Sequence, residues 1–211
     1  MKSILSVLLN TSVLAVLALA SLFHTAASTE VQLSLVDGFG TSKYRIVLDM
    51  PSEPAMGESL KIVFTLFLDE LPPLKHYSGY VSITFTLLSA DGRTLARTSI
   101  NNRIDAYKVD YIFPGYRWGP YTVSINPDYS RITGGSKTSF YVTLESEEYV
   151  EDPLGIPIIA TRPNPVTVHV KDLVFLQRFP TLEAVAAALV AAVFAAAFIY
   201  VKKTQTRRPT S

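Results

Sequence analysis

Little in this sequence has the residue types and spacing that catalysis requires. The densest acidic run is Glu145, Glu147, Glu148, Glu151 and Asp152. Clustered carboxylates can hold calcium, a hard cation that takes several oxygen ligands. Tyr149 and Val150 interrupt the run and its spacing matches no calcium loop, so it reads as a solvated loop. His76 lies in the stretch Leu71-Pro72-Pro73-Leu74-Lys75-His76-Tyr77, where Met50 or Met56 could join it in a soft-metal site. Thiolate is absent and Met50 falls on an inward phase, so no metal is expected. His169 alternates with Val168 and Val170 and is expected to face solvent. The chain has no cysteine, which excludes disulfides, thiolate nucleophiles and blue-copper chemistry. No phosphate-binding glycine loop, nucleophile elbow or His-Glu-x-x-His helix is present. The expectation is a non-enzymatic protein with no catalytic residue and no cofactor.

Binding residues are easier to find. Tyr77, Tyr80, Tyr107, Tyr111, Phe113, Tyr116, Trp118 and Tyr121 crowd one region. Tyr116, Arg117 and Trp118 fall in a turn at residues 114–119, and Tyr77 belongs to the proline loop. Exposed Tyr, Trp and Arg anchor protein contacts, so these four are candidate binding residues. Val63 and Phe67 form a second candidate surface, standing on the outward phase of a strand where polar residues are expected. A partner subunit would cover them, or a loop at residues 154–159. A third surface is the row Ala184, Ala188, Ala192 and Ala196, with Ala187, Ala191 and Ala195 alongside. Small residues every four positions let membrane helices pack closely, which implies self-association or a membrane-protein partner.

The elements that must carry these residues alternate with a period of two. Leu60, Ile62, Phe64, Leu66 and Leu68 share one phase. So do Val81 to Leu87, then Tyr107, Val109, Tyr111 and Phe113, then Tyr121, Val123 and Ile125. Phe140, Val142 and Leu144 follow, then Val166, Val168 and Val170. Weaker candidates lie at 31–36, 44–50 and 94–100. Such alternation marks half-buried strands. Turn signals agree, with Asp37-Gly38-Phe39-Gly40, Asp91-Gly92, Pro114-Gly115 and Gly134-Gly135 between strands. About nine short strands predict an all-β, two-sheet sandwich.

Apolar segments bracket that domain. Met1-Lys2, a short greasy centre ending near Phe23 and the small residues Thr25-Ala26-Ala27-Ser28 form a signal-peptide pattern. Residues 182–201 carry one charge, Glu183, at their outer edge; at about 1.5 Å per helical residue they span a bilayer core of roughly 30 Å. Lys202, Lys203, Arg207 and Arg208 follow, and basic flanks stay cytoplasmic. The expected organisation is a signal peptide (1–27), an extracytoplasmic sandwich (28–172), a juxtamembrane linker (173–181), a transmembrane helix (182–201) and a basic cytoplasmic tail (202–211). That places the protein in the cell membrane as a single-pass, type I chain, its amino-terminal domain outside or in the ER lumen.

The formal net charge of +1 is unevenly spread. Residues 28–180 hold 14 Lys plus Arg against 17 Asp plus Glu, a balance without the basic stripe that tracks phosphates. Nucleic acid is not an expected partner. Asn126 and Asn164 both precede proline, so no N-glycan acceptor follows the first segment.

The stretch Gly119-Pro120-Tyr121-Thr122-Val123-Ser124-Ile125 resembles the Gly-x-Tyr-x-(Cys or Val) start of a late strand in immunoglobulin-like and fibronectin-III-like domains. In them the tyrosine ties down a loop as the tyrosine corner, which here would be Tyr121. The resemblance implies an immunoglobulin-like sandwich and carries no functional residues. Together these readings point to a membrane-anchored binding or accessory subunit of a membrane complex, with membrane lipid as one partner. The second reading is a structural cell-envelope element that anchors a surface layer or filament.

Overall fold

Alternating apolar residues become alternating buried ones. In the computed structural model, which describes residues 26–106, 108, 112–133, 135–177, 190 and 193–194, Tyr44, Ile46, Leu48 and Met50 all turn inward from one strand. Leu60, Ile62, Phe64, Leu66 and Leu68 do so from the next. The described strands are β1 (Ala26–Asp37), β2 (Gly40–Pro51), β3 (Leu60–Glu70), β4 (Lys75–Leu88), β5 (Thr94–Ala106), β6 (Tyr116–Ile125), β7 (Lys137–Ser146), β8 (Glu148–Glu151), β9 (Pro157–Thr161) and β10 (Val166–Val174). The protein is all-β, with antiparallel strand pairs and, in this region, only a single 3-10 turn at Tyr129–Arg131.

One sheet runs β1-β2-β3-β6. The other runs β10-β7-β4-β8-β9, with β5 along the opposite edge of β4. Across the interface Phe64 of the first sheet meets Phe85 of the second, ring centroids 5.5 Å apart. Phe85 stacks in turn on Phe140. Each such side chain, once fully buried, contributes roughly 1.5–3 kcal/mol from apolar area removed from water. The β1–β2 hairpin closes through Gly38-Phe39, with Asp37 Oδ1 accepting from the Phe39 N–H at 2.9 Å. Gly40 follows with φ +136°, and a Cβ there would lie 2.8 Å from Pro72 Cγ. Only glycine meets both conditions.

Strands β7 and β8 run along the same edge of β4, in register at Val81↔Ser146 and again at Lys75↔Val150. Between them the chain bulges at Glu147, whose N–H bonds to the Tyr80 carbonyl. Partners β9 and β10 repeat the pattern, so β7–β8 and β9–β10 make one long hairpin with its turn at residues 152–156. Asp152 holds that turn, its Oδ1 accepting from Leu154 N–H (2.9 Å) and Ile156 N–H (2.8 Å).

Several expectations need correction. His76 and Tyr77 belong to β4, not to a proline loop. The acidic run is not a solvated loop: it ends β7 and forms β8, and Glu148 and Glu151 are buried. Residues 154–159 are the turn and first strand residues of the long hairpin rather than a cover for β3. Phe113 lies in the connection leading to β6, half-buried against the core, while Tyr107, Val109 and Tyr111 lie outside the described residues. The sandwich continues past residue 172. Strand β10 reaches Val174, Phe175 is fully buried edge-on to Tyr129, and Leu176 exchanges backbone bonds with Pro54 and Met56.

A second unit begins at Gln177. Of it, Val190, Val193 and Phe194 are helical and exposed. No helix among the described residues is long and apolar enough to cross a membrane. The signal segment, most of residues 182–201, the basic tail and the row Ala184, Ala188, Ala192 and Ala196 lie outside the described residues.

Candidate binding face and a sealed charge cluster

Phe67 stands on the outer side of β3, with Arg45 opposite it on β2 and Arg117 opposite it on β6. The Arg45 guanidinium carbon lies 4.0 Å from the ring centroid and that of Arg117 lies 5.7 Å away. These are cation–π distances. Arg45 is also tied to Asp69 (3.0 Å) and lies 3.9 Å from Glu30. That hydrogen bond to Asp69, with the nearby acids, raises its pKa despite some desolvation. Arg117 is exposed and has no carboxylate partner among the described residues. Phe67, Asp69, Pro114, Gly115, Tyr116 and Arg117 line an open depression at this place. Val63 is half-buried on the same side of β3, opposite Thr122. The structure thus gathers Phe67, Tyr116 and Arg117. Tyr77 is placed in β4, paired with Ala106.

Trp118 leaves this group. Strict alternation from Tyr121, Val123 and Ile125 would turn it outward. Instead the β3–β6 register shifts between Phe64↔Tyr121 and Leu66↔Trp118, and a one-residue bulge moves a side chain to the other face. Gly119 makes the bulge, at φ +112°, with space for a Cβ only 2.7 Å from the Phe64 carbonyl oxygen. Trp118 is therefore 7% exposed and edge-on to Phe64, centroids 5.3 Å apart. Tyr121 is displaced to the rim at 52% exposure, its ring 5.7 Å from Trp118.

No model of a known protein family matches the chain, and comparison with curated proteins finds no match.

The polar cluster that sequence reasoning missed lies between the sheets. Glu148 is fully buried and its carboxylate accepts four hydrogen bonds. Ser42 Oγ (2.6 Å) and Lys75 Nζ (2.9 Å) donate to Oε2; Tyr44 Oη (2.7 Å) and Ser146 Oγ (2.9 Å) donate to Oε1. Lys75, also fully buried, reaches Asp37 Oδ2 at 2.9 Å. Asp37 Oδ2 is itself buried and meets the ammonium at ion-pair distance without hydrogen-bond geometry. A second knot adjoins: Glu151 pairs with His76 Nδ1 at 3.0 Å and with Lys108 Nζ at 3.4 Å. Lys108 also donates to the carbonyls of Pro72 and Pro73. Burial pushes the Lys108 ammonium pKa down, and Glu151 offsets part of that. Four donors on one carboxylate satisfy its lone pairs, the condition under which a buried charge is tolerated. The cluster fixes β8 and the long hairpin to the β1–β2 hairpin.

Burial raises the Asp37 pKa, but the Lys75 ammonium and the Phe39 N–H more than offset this and leave it below 3.8. An acid with a depressed native pKa binds fewer protons folded than unfolded. Its stabilisation is present above the unfolded value and is lost as pH falls through the native one. Asp37→Asn is therefore less stable than the native chain at neutral pH, and the gap narrows below pH 3.8. Urea midpoints measured across that range check this; a gap that is flat with pH refutes it.

Proposed function

We propose that the chain is a non-enzymatic binding or accessory subunit, in which an immunoglobulin-like sandwich is carried outside a membrane by one carboxy-terminal helix. The observation that carries this reading is the Phe67–Arg117 face. An aromatic ring on the outer side of a sheet, beside a guanidinium with no acidic partner among the described residues, suits a protein surface that presents a carboxylate next to an apolar group. The buried pair Lys75–Glu148 fits a structural role, because neither side chain has any exposed surface. Residues 182–201 and the basic residues behind them supply the anchor.

Gentle detergent extraction of the full chain is expected to recover integral membrane proteins with it. Arg117→Glu, on an exposed side chain, reduces that recovery about tenfold, a loss of about 1.4 kcal/mol, without changing the melting temperature. Recovery of surface polymer instead favours the envelope reading, and recovery unchanged by Arg117→Glu removes this face from the proposal.

A further inference from the structure

Strand β9 ends its sheet, paired with β8 along one edge and with no strand along the other among the described residues. It is also bare on both faces. Leu154, Ile156, Ile158 and Ile159 are 80, 55, 60 and 49% exposed, and Pro157 and Ala160 are exposed too. An aliphatic edge strand with open backbone groups is a template for another strand. Sheet proteins ordinarily protect such edges with charge, yet no charged residue lies between Asp152 and Arg162. Pro157 has no N–H, and the β8–β9 register shifts between Val150↔Ile159 and Glu151↔Pro157, so this end of the edge is blunted and its regular part centres on Ile159 and Ala160.

The charges at the two ends select the occupant. Asp152 sits at the turn, bonded to the Ile156 N–H. Arg162, 80% exposed, sits at the other end and uses Nε and Nη2 on one oxygen of Glu147, leaving further donors of its guanidinium. A strand that is acidic at one end, basic at the other and neutral between is complementary to itself run backwards. We propose that β9 pairs antiparallel with β9 of a second copy, about a two-fold axis beside Ile159. In that register Ile158 faces Ala160 of the partner copy, and Arg162 faces Ile156, next to Asp152. Paired Cα atoms stand about 4.5–5.5 Å apart, within an arginine's reach of that carboxylate. The pairing is isologous, so it closes as a dimer rather than growing into a filament. It joins two hairpins into one continuous sheet, at the end of the hairpin opposite Val174.

The absence of cysteine makes a direct test available. Ile159→Cys in the full chain, in detergent micelles, places two thiols opposite each other across the axis, at a separation a disulfide spans. Mild oxidation is expected to give a covalent dimer at least tenfold faster than Thr122→Cys, an exposed position on β6. Adding Arg162→Glu should slow the reaction at 159 by about tenfold, because like charges then meet at both ends. Adding Ala188→Ile and Ala192→Ile should leave it unchanged. Unaltered melting temperatures show that the variants fold. Cross-linking at 159 no faster than at 122 overturns the proposal, as does a rate at 159 that collapses when only the helix is altered. Neither result bears on capture of partners through Arg117, so the two proposals fail separately.

Discussion

Glu148→Ala is expected to destabilise the sandwich by about 3–5 kcal/mol, the usual cost of breaking a buried ion pair by removing one partner. Lys75 would keep only Asp37, while the hydroxyls of Ser42, Tyr44 and Ser146 would lose a shared acceptor. At roughly 2–4 °C per kcal/mol for a chain of this size, the melting temperature should fall by roughly 6–20 °C. The origin of the loss is separable. Lys75→Met alone should also cost about 3–5 kcal/mol, since it leaves Glu148 charged and buried. The double variant Lys75→Met with Glu148→Leu should cost clearly less than the sum, because Glu148 and Lys75 no longer strand each other, although Asp37 still loses its ammonium. It should still fall short of the native chain, because three hydroxyls remain without their acceptor. A double-mutant cycle measured by urea unfolding gives the coupling, expected at about 1–3 kcal/mol. Strict additivity would mean that Lys75 and Glu148 do not depend on each other, contrary to their 2.9 Å contact.

Trp118→Ala is expected to cost about 3–5 kcal/mol, the range for removing a large aromatic from a core. Its ring fills the space between Phe64 and Tyr121, and the backbone around Gly119 is too closely applied to Phe64 to collapse into the hole. Trp118→Phe should recover much of the loss. Arg117→Ala, one residue earlier but on the outer face, should stay within about 0.5 kcal/mol, as exposed changes do. Trp118 is the only tryptophan, so its fluorescence reports the same point independently. Emission should be that of a buried indole in the native state and shift to the red on unfolding. Native emission already at the solvent wavelength would contradict the placement.

Both residues mark where sequence reading stops. Most strands are legible because one face of each is buried, and burial imposes a period of two that any alternating run displays. Phe67 is legible for the same reason: an aromatic on the wrong phase is conspicuous. Trp118 is not, because a single bulge resets the phase and the residues that make it, Gly119 and Pro120, look like an ordinary turn. Glu148 is harder still. Among Glu145, Glu147 and Glu151 nothing local distinguishes it, and its burial is decided by Ser42, Tyr44 and Lys75, which lie 106, 104 and 73 residues away. Apolar burial writes itself into a local pattern, whereas satisfaction of a buried charge is a non-local property. Strand β9 was hidden by the reverse effect. With both faces exposed it has no buried side to set a period, and a run of isoleucine and proline reads as a loop.

The separation between Lys75 and Glu148 also constrains how the chain acquires its shape. The strands β1, β2, β3 and β6 all precede the last third of the sequence, and β4 brings into the interior an ammonium whose buried partner Glu148 comes later, on β8. Until β8 docks, Lys75 has Asp37 but not Glu148 as a counter-ion. The final closure therefore waits on a contact of long sequence separation, the kind that makes all-β domains fold in milliseconds to seconds rather than microseconds. A chain lacking residues after β7 cannot make that closure, and limited proteolysis should cut it faster than the full chain.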